Sequence, residues 1–339
     1  MPLPIDVAFH DDPAHLPAFA AAVEARAPGS GVFVTEASHD PFVGLALATT
    51  TTSRIRLGTS VALAFARTPM ATAYSAYDVH RLSGGRLVLG LGSQIKPHIT
   101  RRYSMPWSRP AARMTEYVAA LRAIFTSWQT GERLDFRGDF YSHTLMPPLF
   151  DPGPLGYDAP PIWLAGVGPR MVETAGRVAD GFIGHPLVSR AYLGDELLPR
   201  LAAGRGPVPE RGFTLSLMAI TAVGRTEQEV TDAVSAARRQ IGFYASTPAY
   251  RPVLDHHGWG DLHEEAHRAT LTGRWDDLPA MVDDEVLAAF AVQGDPASVR
   301  AQVQERFGGL ADRVTLSLPH TAGPDVPLEV LAAGASTQG

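Results

Sequence analysis

Apolar residues in this chain fall into short solid runs, separated by longer stretches where apolar and polar positions alternate at helical spacing. The clearest unit spans Arg54 to Gln94, where the apolar runs Ile55–Leu63 and Arg86–Gly92 flank a helical segment that Pro69 can open at its first turn. Strand, amphipathic helix and strand make a βαβ unit, and strands that are apolar throughout belong to a parallel sheet covered on both faces. Ligands of such sheets gather at the carboxyl ends of the strands. Here those ends read Gly58-Thr59-Ser60-Val61 and Gly90-Leu91-Gly92-Ser93-Gln94.

The same alternation runs along the rest of the chain. Ile5–Phe9 and Gly31–Val34 predict the first two strands, with a helix from Pro13 to Ala27 between them and another from Pro41 to about Thr52. Arg109–Trp128 carries a strong helical stripe that stops near Gly131. Further strands are expected at Pro161–Ala165, Phe182–Gly184, Phe213–Val223 and Val314–Leu318. Helices are expected from Pro169 to about Ala179, after Thr226, after Asp295 and over Pro327–Ala333, and Thr226 and Glu229 have capping-box spacing. Two stretches break the pattern: about 132–160, with a small hairpin near Leu134–Tyr141, and an irregular second insertion at 247–277. Eight strand-like runs alternating with helices predict an α/β fold, a (β/α)₈ TIM barrel with two insertions, as one domain over residues 1–339. An open doubly wound sheet is the alternative. No compositional break divides the chain into halves, which favours the barrel.

A formal charge of −6 and a pI near 6.0 leave no basic footprint for nucleic acid. There is no cysteine, which excludes disulfides, thiolate metal sites and a cysteine nucleophile. The first residues lack the cationic start and long apolar core of a signal peptide, and no uncharged run is long enough for a bilayer, so the expectation is a cytoplasmic protein with no membrane partner. Lys96 is the only lysine, so anionic ligands would be met mostly by arginine, which suits forked, planar recognition of phosphate or carboxylate.

Four constellations could carry chemistry. Glycines in Gly90-Leu91-Gly92-Ser93-Gln94-Ile95 would let a flat ring lie against backbone, or simply allow close strand–helix packing. No third glycine completes a dinucleotide fingerprint. In Gly166-Val167-Gly168-Pro169-Arg170, a glycine-containing turn opens a helix. The amides of Val167, Gly168, Arg170 and Met171 could there converge on an anion favoured by the helix dipole. Glu36-Ala37-Ser38-His39-Asp40 places a histidine beside an acid, either an acid–base pair or a helix cap with a solvated neighbour. His263-Glu264-Glu265-Ala266-His267 matches a zinc-protease motif, but its polar surroundings suit a solvent-facing helix, and no metal is expected.

Ile55–Val61, Arg67-Thr68-Pro69, Gly85–Gly92, Leu164–Pro169 and Ala179-Asp180-Gly181-Phe182 together resemble the luciferase-like monooxygenase superfamily, and within it the branch that uses the deazaflavin coenzyme F420. The resemblance implies a (β/α)₈ barrel, a homodimer, and an isoalloxazine-like ring at the carboxyl ends of the strands. It implies a non-proline cis peptide at Ser60–Val61 or the bond just after, and phosphate binding at Gly166, Val167, Gly168, Pro169 and Arg170. His10, Ser60, Val61, Ser93 and Gln94 then become cofactor contacts, and His39 with Asp40 the catalytic pair. His257-Gly258-Trp259 is expected to line the substrate pocket. Members resembling sugar-phosphate dehydrogenases carry an acid after the fourth strand, where this chain has Ile95, and no tryptophan follows His39. The implied function is hydride transfer between the deazaflavin C5 and a small organic substrate, with reduction of an activated C=C or C=N bond. The alternatives are an FMN-dependent monooxygenase and a non-catalytic flavin-binding paralogue.

Overall fold

Ile5–Phe9 (β1) and Gly31–Val34 (β2) are buried at every position, and such strands need cover on both faces. They receive it in a closed barrel. A computed structural model describes residues 3–206, 212–319, 323 and 325–333. Arg56–Thr59 (β3), Leu87–Gly92 (β4), Ile162–Ala165 (β5), Gly181–Gly184 (β6), Thr214–Val223 (β7) and Arg313–Ser317 (β8) complete eight parallel strands, and β8 pairs with β1 to close the ring. The doubly wound alternative is therefore excluded.

Helices Leu16–Arg26 (α1), Pro41–Ala48 (α2), Pro69–Leu82 (α3), Pro110–Thr130 (α4), Pro169–Val178 (α5), Leu198–Arg205 (α6) and Glu227–Ala245 (α7) follow in turn, with Pro296–Phe307 and Asp325–Ala332 near the end. Proline stands in the first turn of α2, α3, α4 and α5, where its missing N–H has no helical partner to lose. Asp40 and Thr68 cap α2 and α3 through their side chains, and Gly131 ends α4 in the left-handed conformation expected of a terminal glycine. At α7, Thr226 accepts from the Glu229 amide at 3.2 Å, while the Glu229 carboxylate turns to the Arg225 amide at 2.6 Å, one residue before the usual reciprocal donor.

The barrel interior holds Phe33, Val88, Trp163 and Ile183, with Phe33 stacked on Trp163 at 5.8 Å. Gly58 and Gly90 are glycines for steric reasons: a Cβ on Gly58 would meet the Phe33 ring at 2.4 Å, and one on Gly90 would lie 2.0 Å from the Thr59 carbonyl oxygen. At the closed end, Asp6 and Arg313 form a buried bidentate pair across β1 and β8. Around the outside, Glu24 of α1 ties down the start of β3 by accepting from the amides of Ser53, Arg54 and Ile55.

Three details depart from the sequence reading. The run Ile55–Leu63 is two pieces: β3 stops at Thr59, and Ala62–Leu63 pairs again with β4 one residue out of step. That offset is a bulge, and the Ser60–Val61 peptide inside it is cis, as the family resemblance implies. The second insertion is largely helical, with Arg251–His256 and Gly260–Leu271, rather than irregular. Ala291–Gly294 forms an unanticipated strand on the overhanging half of β7, and the first insertion holds its hairpin as Phe136–Arg137 against Ser142–His143. Among the described residues no helix is long and apolar enough to cross a membrane.

Candidate active site

The carboxyl ends of the strands surround a cavity of about 570 Å³ above the plug of interior side chains. Val61, Ala165, Ile183 and Met218 are shared between cavity wall and plug, so the floor is apolar. A cavity of this size at the carboxyl ends of a parallel barrel is the expected place for a small molecule.

On the β3 side the bulge is held from β2. Thr35 Oγ1 donates to the Ser60 carbonyl at 2.9 Å, the Glu36 amide to the Val61 carbonyl at 3.3 Å, and the Ser60 amide to the Val34 carbonyl at 2.8 Å. Val61 packs on Gly92, where any Cβ would meet a Val61 methyl at 2.6 Å, and Gln94 turns the chain at a φ of 56°. Beneath lies a buried carboxylate. Glu36 accepts from the Leu63 amide at 2.8 Å and from Arg67 at 2.5 Å, and the same guanidinium reaches Asp40 at 2.6 Å.

On the β5 side, Gly168 is the residue from which α5 starts, with no side-chain cap. The Met171 amide is used within the first turn, donating to the Gly168 carbonyl at 3.0 Å. The amides of Val167, Gly168 and Arg170 have no acceptor among the described residues, and a Cβ built on Gly168 meets nothing within 4 Å. An anion seated there would find three donors and the positive end of a helix.

The remaining wall was not foreseen. His185, directly after β6, lies against Tyr244 at the end of α7 and Tyr250 in the second insertion. Burial drives its imidazolium pKa down to about 3, so the ring is neutral. Burial also pushes the Tyr244 phenol up to about 12, partly offset by a hydrogen bond from Gln240, and it raises Tyr250. Gln240 donates its Nε2 to Tyr244 at 3.1 Å and leaves its Oε1 buried without a partner.

Of the residues singled out from sequence, His10, Ser60, Val61, Ser93, Gln94, Gly166, Val167 and Gly168 come together around this cavity. Burial lowers the pKa of His10, at the mouth. Pro169 and Arg170 are exposed at the start of α5 and do not line it. His39 and Asp40 do not line it either. His39 is exposed beside a crevice of about 10 Å³, and Asp40 is occupied by the Phe42 amide at 2.8 Å and by Arg67. The helix-cap reading therefore describes Asp40, and the geometry gives no support to proton transfer by His39. His257 is also elsewhere, in a second cleft, with Nε2 2.7 Å from the Ser189 hydroxyl and its ring stacked on Trp259. His263 and His267 turn their Nδ1 atoms to the carbonyls of Ala245 and Ser246, where α7 ends. One signal for His185 was available in the sequence: a histidine immediately following a barrel strand.

The sequence model of luciferase-like monooxygenases matches residues 10–313. An uncharacterized protein of Mycobacterium tuberculosis, Rv1360, is 49% identical over 286 residues, 84% of each chain. The phthiodiolone/phenolphthiodiolone dimycocerosates ketoreductase of M. tuberculosis is 30% identical over 290 residues, 82% of this chain and 70% of that one. Among solved structures, the coenzyme F420-dependent tetrahydromethanopterin reductase from Methanopyrus kandleri superposes with a TM-score of 0.75 at 18% identity over 98% of both chains. EDTA monooxygenase from Chelativorans sp. BNC1 superposes with a TM-score of 0.70 at 16% identity, over 99% of this chain and 95% of that one. At such identities the structural likeness speaks to the fold.

Proposed function

Because the chain belongs to the luciferase-like monooxygenase family, we propose that it is an oxidoreductase that binds coenzyme F420 in the barrel-mouth cavity and exchanges hydride with a small organic substrate. The observation that carries this reading is the cavity itself: an apolar space walled by Val61 and Gly92 at the β3–β4 edge, with unused amides at Val167 and Gly168. A ring-shaped cofactor with an anionic tail fits both features. Gly168 would hold the phosphate through backbone N–H groups, and Val61 would back the ring. When bound, the reduced cofactor would supply hydride from C5, and the protein's part is to hold ring and substrate in contact.

Reduction of an activated double bond suits the site better than alcohol oxidation. Ile95 stands after β4, and Glu36, the one carboxylate lining the cavity among the described residues, is engaged by Arg67 and the Leu63 amide. A relative bearing the name ketoreductase points the same way. FMN is the second reading, since the amides at Gly168 would serve either phosphate. A homodimer belongs to the proposal as well: Val43 and Leu47, one turn apart on α2, are 57% and 43% exposed, an apolar stripe that a second copy would cover. Titration of the protein with oxidised F420, reduced F420 and FMN, followed by cofactor fluorescence, is the test. Saturable F420 binding tighter than FMN is expected, and failure of both cofactors to bind would overturn the reading.

A further inference from the structure

We propose that His185 is a catalytic residue acting as a neutral hydrogen-bond donor, its Nε2–H meeting a carbonyl oxygen of the substrate. That carbonyl is either the group reduced or the one conjugated to the C=C bond reduced. The inference rests on the hydride-transfer reading above and adds the chemical class of the substrate head.

The tautomer follows from one contact. The Leu187 amide donates to His185 Nδ1 at 3.1 Å, so Nδ1 is the acceptor and the ring proton is on Nε2. Nε2 has no acceptor among the described residues, yet His185 lines the cavity. Two aromatic neighbours fix the ring plane: Tyr250 stacks on it with centroids 4.4 Å apart, and Tyr244 meets it edge-on at 4.7 Å. Gln240 in turn holds the Tyr244 phenol. A donor whose orientation is set before the ligand arrives needs no reorganisation when charge develops beside it.

The groups around the ring keep it neutral. Tyr244 and Tyr250 pack directly on it, and both stay protonated through the neutral range. His10 and Glu36 reach the cavity from β1 and β2, and Glu36 is neutralised by Arg67. A neutral imidazole is a very weak acid, so it stabilises an oxyanion by hydrogen bonding without giving up its proton. In the step itself, hydride brings two electrons to carbon, and the π pair of the C=O, or of the conjugated C=C–C=O, moves onto oxygen. The negative oxygen is met by Nε2–H, and water then supplies the proton that completes the product. β6 stands three strands round the barrel from β3, so the donor and the Val61 edge flank the cavity from different sides.

The test uses the full chain labelled with ¹⁵N-histidine, the His185 signals being identified by their loss in His185→Phe. Cyclohex-2-enone is titrated in with oxidised cofactor present, so that no turnover occurs, and cyclohexene serves as the control of like shape without an acceptor. The expected spectrum shows the Nε2–H tautomer, moving with the enone and not with cyclohexene. His185→Phe should weaken enone binding about tenfold while leaving cofactor affinity unchanged, and His185→Gln, which retains an N–H donor, should restore part of the loss. An Nδ1–H tautomer, an enone that fails to bind or to move the His185 signal, or a Phe variant that binds enone as well as the parent would each overturn the proposal. The tautomer is also read on the protein without cofactor, so a cofactor that fails to bind would sink the preceding reading and still leave this one measurable.

Discussion

Substituting Gly168 by aspartate separates binding from folding. Gly168 is the N-cap of α5, its backbone is extended at φ −73° and ψ 148°, and no atom lies within 4 Å of a Cβ placed there. Aspartate is a preferred N-cap and gains over glycine only a few tenths of a kcal/mol, so the fold should be as stable as before or slightly more so. The carboxylate would cap the Arg170 amide, one of the three free amides a phosphate would use. It would also place a like charge roughly 5 Å from the phosphate, which at an effective dielectric constant of about 20 opposes binding by about 3 kcal/mol per unit charge before screening. Salt and exposure at the helix start reduce that figure, so the expected loss of cofactor affinity is about ten- to a hundredfold. Gly168→Ala is the matched control: it adds a methyl into open space, lacks a capping oxygen, and should cost about 1 kcal/mol of stability with little change in affinity. Cofactor fluorescence titration and chemical denaturation of the three proteins measure the two quantities independently. The Asp defect should also shrink as salt is raised. If Gly168→Asp binds F420 or FMN as tightly as the parent, the anion is held elsewhere and the reasoning from free amides fails.

Glu24→Ala should destabilise the protein by about 2 kcal/mol at pH 7, as judged by denaturant midpoints. Burial raises the Glu24 pKa, but the Ile55, Arg54 and Ser53 amides and the Ser53 hydroxyl outweigh it and bring the pKa from 4.5 to about 2. A depressed carboxylate pKa stabilises above the unfolded value. The gap between parent and variant should therefore be full at neutral pH and close as pH falls from 4.5 towards 2, and a gap independent of pH would refute the linkage. Arg67→Met should cost about 3 kcal/mol by thermal or chemical unfolding, because it leaves the buried Glu36 carboxylate without its partner; a loss within error would mean that the pair contributes nothing to folding. His39→Ala should leave cofactor affinity within about twofold of the parent, since the side chain is exposed outside the cavity; a large loss would bring His39 back into the site.

Much of the architecture is local and was readable for that reason. The solid apolar runs became barrel strands, and Pro41, Pro69, Pro169 and Pro296, preceded by Asp, Thr, Gly and Asp, opened helices, because strand burial and cap geometry depend on residues a few positions apart. The glycine turn Gly166–Gly168 likewise lies where the residues around it implied, and the cis bond at Ser60–Val61 lies where the family resemblance implied. Misreadings came where local signals were ambiguous. Gly90 was open in sequence between a ring against backbone and strand–helix packing, and the Thr59 carbonyl 2.0 Å from its missing Cβ shows a third reason, close approach of the neighbouring strand. The insertion 247–277 lacked a clean apolar stripe, yet Gly260–Leu271 is helical and sets His263 and His267 against the carboxyl end of α7.

By itself, then, the sequence determined the barrel and the order of its strands, since these follow from period, caps and glycine. Which histidine lines the barrel-mouth cavity beside its aromatic wall was decided only in three dimensions. His10 and His185 each directly follow a barrel strand while His39 sits in the loop beyond β2, and those placements alone do not tell which ring is covered and oriented. His185 is neutral, oriented and turned to the cavity because Tyr244 and Tyr250, some sixty residues further along the chain, pack against it, whereas no such cover reaches His39. Burial and ring orientation are properties of contacts between distant segments, and a protonation state follows them.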